Sequence, residues 1–171
     1  MTLFLKLVHL LNRHYKVFVW SLALAALSIA LFTRFFILTV NISESLPGKV
    51  FLVMKDVKPA RGDFVAFYYS GGGVYPARSL FLKRLVGLPG DKVSSASAPN
   101  GTVEYFIDGH PVGQAKPTSK KGLVLQPGPT GVIPAGSYYV AGSHADSLDS
   151  RYKLVGWVQD AQIIGKSIRI W

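Results

Sequence analysis

Ser43 and Ser45 stand one residue apart in the stretch NISESLPG, residues 41–48, with Pro47 two places after the second. A serine hydroxyl is a weak nucleophile until a neighbouring base takes its proton, and a neutral lysine or a histidine can do so. The chain offers both. Lys83 lies in an apolar run, SLFLKRLVGLPGDKV. On an extended strand Phe81, Lys83 and Leu85 share one face, and Leu80, Leu82 and Arg84 the other. If Phe81 and Leu85 face inward, Lys83 is buried with them, and burial lowers a lysine pKa toward the range of a general base. His144 and Asp146, two apart, would complete a Ser/His/Asp triad with Ser45, although His144 also reads as a solvated loop histidine. Residue types alone leave the partner of Ser45 open. The other chemistries are weaker. Histidines 9, 14, 110 and 144 share no ligand spacing and the chain has 0 cysteines, so no metal and no cofactor are expected. Gly71-Gly72-Gly73 is followed by no Gly-Lys-Ser and reads as a hairpin loop rather than a phosphate cradle.

Composition divides the 171 residues into two parts. Hydrophobic residues make up 49% and charged residues only 16%, too few for a wholly soluble chain. Residues 17–40 form an apolar span of 24 residues interrupted at Thr33-Arg34, enough to cross roughly 30 Å of hydrocarbon. Four of the nineteen basic residues and none of the nine acidic ones precede residue 41, which leaves +6 of the net +10 for the remainder. Residues 1–16 are therefore expected as a basic cytoplasmic terminus, 17–40 as a retained single-pass anchor, and 41–171 on the outer side. A cleaved signal peptide has a shorter apolar core. The basic residues are scattered, with no run longer than two, so a lipid bilayer is an expected partner and nucleic acid is not. After residue 40, short segments rich in β-branched and aromatic residues alternate with Gly and Pro turns. VFLVM, DFVAFYY, LFLKRLV, TVEYFI, SYYVAG and IIGKSIRIW read as strands, EYFIDGHPV as a ribbon turning at Asp108-Gly109, and 94–101 and 113–122 as exposed loops.

Four segments in order resemble the type I signal peptidase family: SESLP the serine box, RGDFVAF at 61–67 the next, KRLVGLPGD at 83–91 the lysine box, and DSLDSRY at 146–152 with GWV the last. The resemblance covers about residues 43–158. It implies a mainly β catalytic domain behind one transmembrane helix, with a β-ribbon and loops inserted at about 94–135. By position it implies Ser45 as nucleophile, Lys83 as general base, and Ser43 beside the Ser45 N–H as oxyanion donor. It further implies Ser147 as the residue that positions the lysine, and Arg84, Asp149 and Arg151 as a structural ion-pair cluster. The family has two residues between nucleophile and proline, whereas here only Leu46 intervenes and Gly48 follows Pro47. That shortened turn is similar to the TraF-like branch, which matures conjugative pilins, and it keeps Ser43 as a second candidate nucleophile. Gly48 is expected to let a bound peptide approach closely. The implied protein is a serine endopeptidase of the bacterial inner membrane. Its catalytic domain would be periplasmic and its partner a membrane-bound precursor, a pilin or a secreted protein, with possible joining of the pilin ends. The alternatives are a general leader peptidase, a repressor-type autoprotease, and a non-catalytic assembly protein of a conjugation system.

Overall fold

The computed structural model describes residues 2–43, 45–73 and 75–171, with side chains described from residue 13 onward. The chain forms two units, one up to Phe36 and one from Ile37 to Trp171. The first is a single helix, α1 (Thr2–Phe35). Its stretch Arg13–Phe35, 23 residues, is long and apolar enough to cross a membrane. The hydroxyls along it are satisfied within the helix: Ser21 Oγ donates to the Phe18 carbonyl at 2.8 Å, Ser28 Oγ to Leu24 at 2.8 Å and Thr33 Oγ1 to Ile29 at 2.9 Å. Such internal pairing is what a non-aqueous surrounding requires.

The helix stops five residues before the end of the apolar span read from the sequence. Phe36–Val40 is instead a strand, β1, at the edge of a sheet. An apolar run reads alike as helix or strand until a neighbour pairs with its backbone. Here that neighbour is β2 (Val50–Lys55).

Among the described residues the second unit holds two sheets. The larger has seven strands in the order β1-β2-β11-β3-β4-β9-β10, with β3 (Phe64–Tyr68), β4 (Leu80–Gly87), β9 (Ser137–Ala141), β10 (Val158–Gln159) and β11 (Ile163–Arg169). The smaller runs β7-β6-β5-β8, with β5 (Lys92–Ser97), β6 (Val103–Ile107), β7 (His110–Ala115) and β8 (Gly131–Val132). The β6–β7 hairpin turns at Asp108 and Gly109, both at positive φ (49° and 82°), the form whose twist matches the strands it joins. Residues 94–97, expected as loop, pair with β6 throughout. Their side chains are mostly exposed, and a strand held by backbone bonds at a surface needs little apolar character.

Strand β4 is the element on which the site depends. Val65 of β3 lies opposite Lys83, Phe67 opposite Phe81, and Leu85 opposite Val140 of β9. Val65, Phe67, Leu85, Tyr138 and Val140 form one apolar cluster, with Phe81 packed against it. Leu82 belongs to a different cluster, with Leu46, Phe51, Val53 and Ala66. The C-terminal end of β4 is tied down. Arg61 spans from the turn before β3 to the turn after β4, donating to Asp91 Oδ1 at 2.7 Å and to the Val86 carbonyl at 3.0 Å. All of β9 is buried, because Tyr139 faces away from the first cluster into a third, with Val93, Tyr105, Ile107 and Ile133.

Gly87 stands where that third cluster meets β4: a Cβ there would lie 2.6 Å from Ile133 Cδ1 and 2.8 Å from Tyr139 Cβ. Gly87→Ala is expected to destabilise the domain by about 1–3 kcal/mol. Chemical denaturation checks this, and an unchanged midpoint would contradict the packing.

Candidate active site

Ser43 and Ser45 sit in the loop that carries the chain from β1 to β2. Ser45 is 7% exposed, and Leu46 beside it enters the core. The Ser45 carbonyl accepts a hydrogen bond from the Ser143 N–H at 2.7 Å. Ser43 is exposed, and its hydroxyl donates to Asn41 Oδ1 at 2.9 Å. Gly48 adopts φ +113°, and a Cβ there would run into the Arg169 side chain. Its glycine requirement follows from that positive φ and from the chain's own last strand.

Lys83 is 5% exposed. It lies on the strand face shared with Phe81 and Leu85, with its Nζ 5.4 Å from the centre of the Phe81 ring. Burial pushes its pKa down to about 8; the Asp149 carboxylate pulls the other way, and the Arg151 guanidinium lowers it further. Ser147 is buried, and its hydroxyl has no hydrogen-bond partner among the described residues. Ser43, Ser45, Lys83 and Ser147 all line one cavity of about 630 Å³. Tyr75, Leu80, Phe81 and Leu123 supply apolar wall, and Lys116, Lys120 and Lys121 a basic one.

Behind the cavity Asp149 and Arg151 form a buried pair. Arg151 Nη2 donates to Asp149 Oδ2 at 2.7 Å and Nε to Oδ1 at 2.8 Å. The same Oδ2 accepts the Gly142 N–H at 2.8 Å. Arg84 does not join them. Its guanidinium stacks over Phe64, 4.7 Å from the ring centre, and donates to the Gly62 carbonyl at 2.9 Å. Neighbours on a strand face opposite sides, so Arg84 points away from the face of Lys83.

A Ser/His/Asp triad does not fit this geometry. A triad histidine donates from Nδ1 to its carboxylate. His144 Nδ1 accepts the Asp146 backbone N–H at 3.1 Å and lies 3.7 Å from Asp146 Oδ2, beyond hydrogen-bond reach. The Asp146 carboxylate is held by Lys116 at 2.5 Å and Lys120 at 3.0 Å, and those contacts lower its pKa to about 2.

The sequence reading passed over Asn41, Gly142 and Ser143, which shape the serine turn. Asn41 two residues before Ser43 is the spacing at which an asparagine side chain caps its own turn, and it would have been the one usable clue.

Residues 11–171 match the family described as signal peptidase, peptidase S26, and the chain belongs to that family. The match is wider than the boxes alone and includes most of the apolar helix. Signal peptidase I of Pseudomonas aeruginosa is 31% identical over 143 residues, 66% of this chain and 49% of that protein. Signal peptidase I of Pseudomonas fluorescens is 31% identical over 147 residues, with the same 66% and 49% coverage. The conjugal transfer protein TraF of Agrobacterium fabrum is 31% identical over 144 residues, 74% of this chain and 77% of that protein. The chain thus spans about half the length of the two signal peptidases it matches.

Gly142 is where the last box closes on the serine turn: a Cβ there would overlap the Ser147 side chain and lie 2.9 Å from the Ser45 carbonyl oxygen. Gly142→Ala is expected to cost about 1–3 kcal/mol of stability and to speed exchange of the Ser143 amide. Wild-type protection at Ser143 would contradict this packing.

Proposed function

We propose that the protein is a membrane-anchored serine endopeptidase that removes signal segments with a Ser45/Lys83 dyad. The observation that carries the reading is Lys83, buried in an apolar wall of the cavity that Ser45 also lines, with a pKa lowered to about 8. Neutral Lys83 takes the Ser45 proton as Oγ attacks the scissile carbonyl. The oxyanion then receives the Ser45 N–H and the Ser43 hydroxyl, which turns from Asn41 to do so. Lys83 returns the proton to the leaving amine, and Ser147, whose hydroxyl is otherwise unpartnered, holds the ammonium. Water opens the resulting acyl-enzyme. An amine can open it instead, which would join the two ends of a cut chain. Hydrogen bonds of this kind often form only when substrate binds, so the free site need not display them.

The apolar helix suits an anchor whose basic end stays in the cytoplasm, with the β domain at the outer face of the inner membrane. Tethering there raises the effective concentration of membrane-bound precursors. A conjugative pilin precursor is the favoured substrate. The chain covers 77% of the TraF relative against 49% of the signal peptidases, and its serine turn is short. A general leader peptidase is the second reading, favoured by the equal identity to signal peptidase I.

The test uses detergent-solubilised full chain, candidate precursors and identification of the new N-terminus. Ser45→Ala and Lys83→Met should each abolish cleavage, and normal turnover by either would overturn the dyad. If Ser43→Ala is dead while Ser45→Ala works, the nucleophile lies two residues earlier. Cleavage of no precursor would favour the assembly protein. In cells depleted of their general signal peptidase, rescue of growth would select the leader peptidase, and processing of a pilin without rescue would select the specialised enzyme.

The lowered lysine pKa sets the pH dependence. Activity should rise through about 8 as Lys83 loses its proton. The unfolded chain keeps that proton up to about 10.5, so stability should also rise with pH between the two values. Below pH 8 the buried ammonium costs free energy, and Lys83→Met should be more stable than wild type by on the order of 1–3 kcal/mol. Denaturation of both proteins at pH 7 checks this, and a less stable variant would contradict it.

A further inference from the structure

The loop from β1 to β2 has a clamp at its mouth. The Asn41 N–H donates to the Lys49 carbonyl at 2.7 Å, which closes the loop. The Asn41 side chain then reaches into it. Nδ2 donates to the Leu46 carbonyl at 3.1 Å and to the Gly48 carbonyl at 3.2 Å. Oδ1 accepts the Ser43 N–H at 3.3 Å and the Ser43 hydroxyl at 2.9 Å. One primary amide thus satisfies groups on both sides of Ser45, two residues before it and one and three residues after it.

The chemistry at this point is narrow. Two carbonyl oxygens converge on one spot and need a group with two N–H donors. Two donors from Ser43 converge beside them and need an acceptor. An asparagine amide carries both in one plane at this reach. An aspartate would set a negative oxygen against two carbonyls, and an alanine would leave all four groups to water or unpaired.

We propose that Asn41 is the positioning residue of the nucleophile turn, fixing where Ser45 presents its hydroxyl and its N–H to the scissile carbonyl. The inference rests on the reading of Ser45 as the nucleophile. Asn41 touches neither Ser45 Oγ nor Lys83 in the described contacts and acts through the backbone of the turn. Displacing a reacting group by about 1 Å can lower a rate by about 10²-fold. The expected signature is therefore a loss in kcat, not in binding.

The test compares wild type, Asn41→Ala and the isosteric Asn41→Asp as full chains in detergent, by precursor cleavage and by hydrogen exchange over residues 41–51. Both variants should lower kcat by at least about tenfold, keep KM nearly unchanged and leave the alkaline rise in its wild-type place. Exchange should quicken in 41–51 and not in β4 or β9. A variant that melts earlier but keeps wild-type kcat would make Asn41 merely structural and overturn the proposal, as would unchanged exchange in 41–51. If Ser45→Ala retains activity, the nucleophile assignment fails instead, and the exchange data alone then decide whether Asn41 holds the turn.

Discussion

An ammonium group among apolar side chains is costly, and the arrangement around Lys83 determines its charge. Val65 lies opposite it on β3, and Phe81 and Leu85 flank it on its own strand face. Asp149 would restore the lysine's proton if it acted as an isolated carboxylate. Its two oxygens are engaged by Arg151 at 2.7 and 2.8 Å, so what Lys83 meets is closer to a dipole than to an anion. Burial wins, and the pKa falls to about 8. The buried pair behind the cavity therefore has an electrostatic consequence as well as a structural one: it supports the fold while leaving the lysine able to lose its proton.

The same pair organises the last box. Asp149 Oδ2 also takes the Gly142 N–H, and the next amide, that of Ser143, binds the Ser45 carbonyl. A chain of contacts thus runs from Arg151 through Asp149 and Gly142–Ser143 to the serine turn. Ser150 adds to it, donating its N–H to the Val140 carbonyl and accepting the Val140 N–H on its hydroxyl, so that 149–151 lies against β9. Three segments far apart in sequence converge on one cavity because β4 and β9 are neighbours and the 45–46 turn packs over the other face of β3 and β4 through Leu46.

Much of this was readable from residue order. The strands around Val53, Phe67, Leu85, Tyr139 and Ser167 follow from β-branched and aromatic runs between turn residues, and the inward face of Lys83 follows from the two-residue period of a strand. Phe36–Val40 was not readable, because its apolarity suits a membrane helix and a sheet edge alike. Ser94–Ser97 escaped because backbone pairing holds it with hardly any apolar side chains. The position of Arg84 was available from the same period that placed Lys83, and the family resemblance drew it into the ion pair instead. Gly48 and Gly142 were opaque for a different reason: what occupies the space a Cβ would need, Arg169 for one and Ser147 for the other, is known only once the chain has folded.

The most direct test of the central claim is the ionisation of Lys83 itself. The full chain, labelled at lysine carbon and nitrogen, is titrated in detergent by NMR, with the Lys83 signal assigned by its loss in Lys83→Met. A midpoint near 8 is the result this account predicts, since burial outweighs the field of the Asp149–Arg151 pair. A midpoint near 10.5 would mean that the lysine stays charged at neutral pH, and it would remove the base from the proposed dyad.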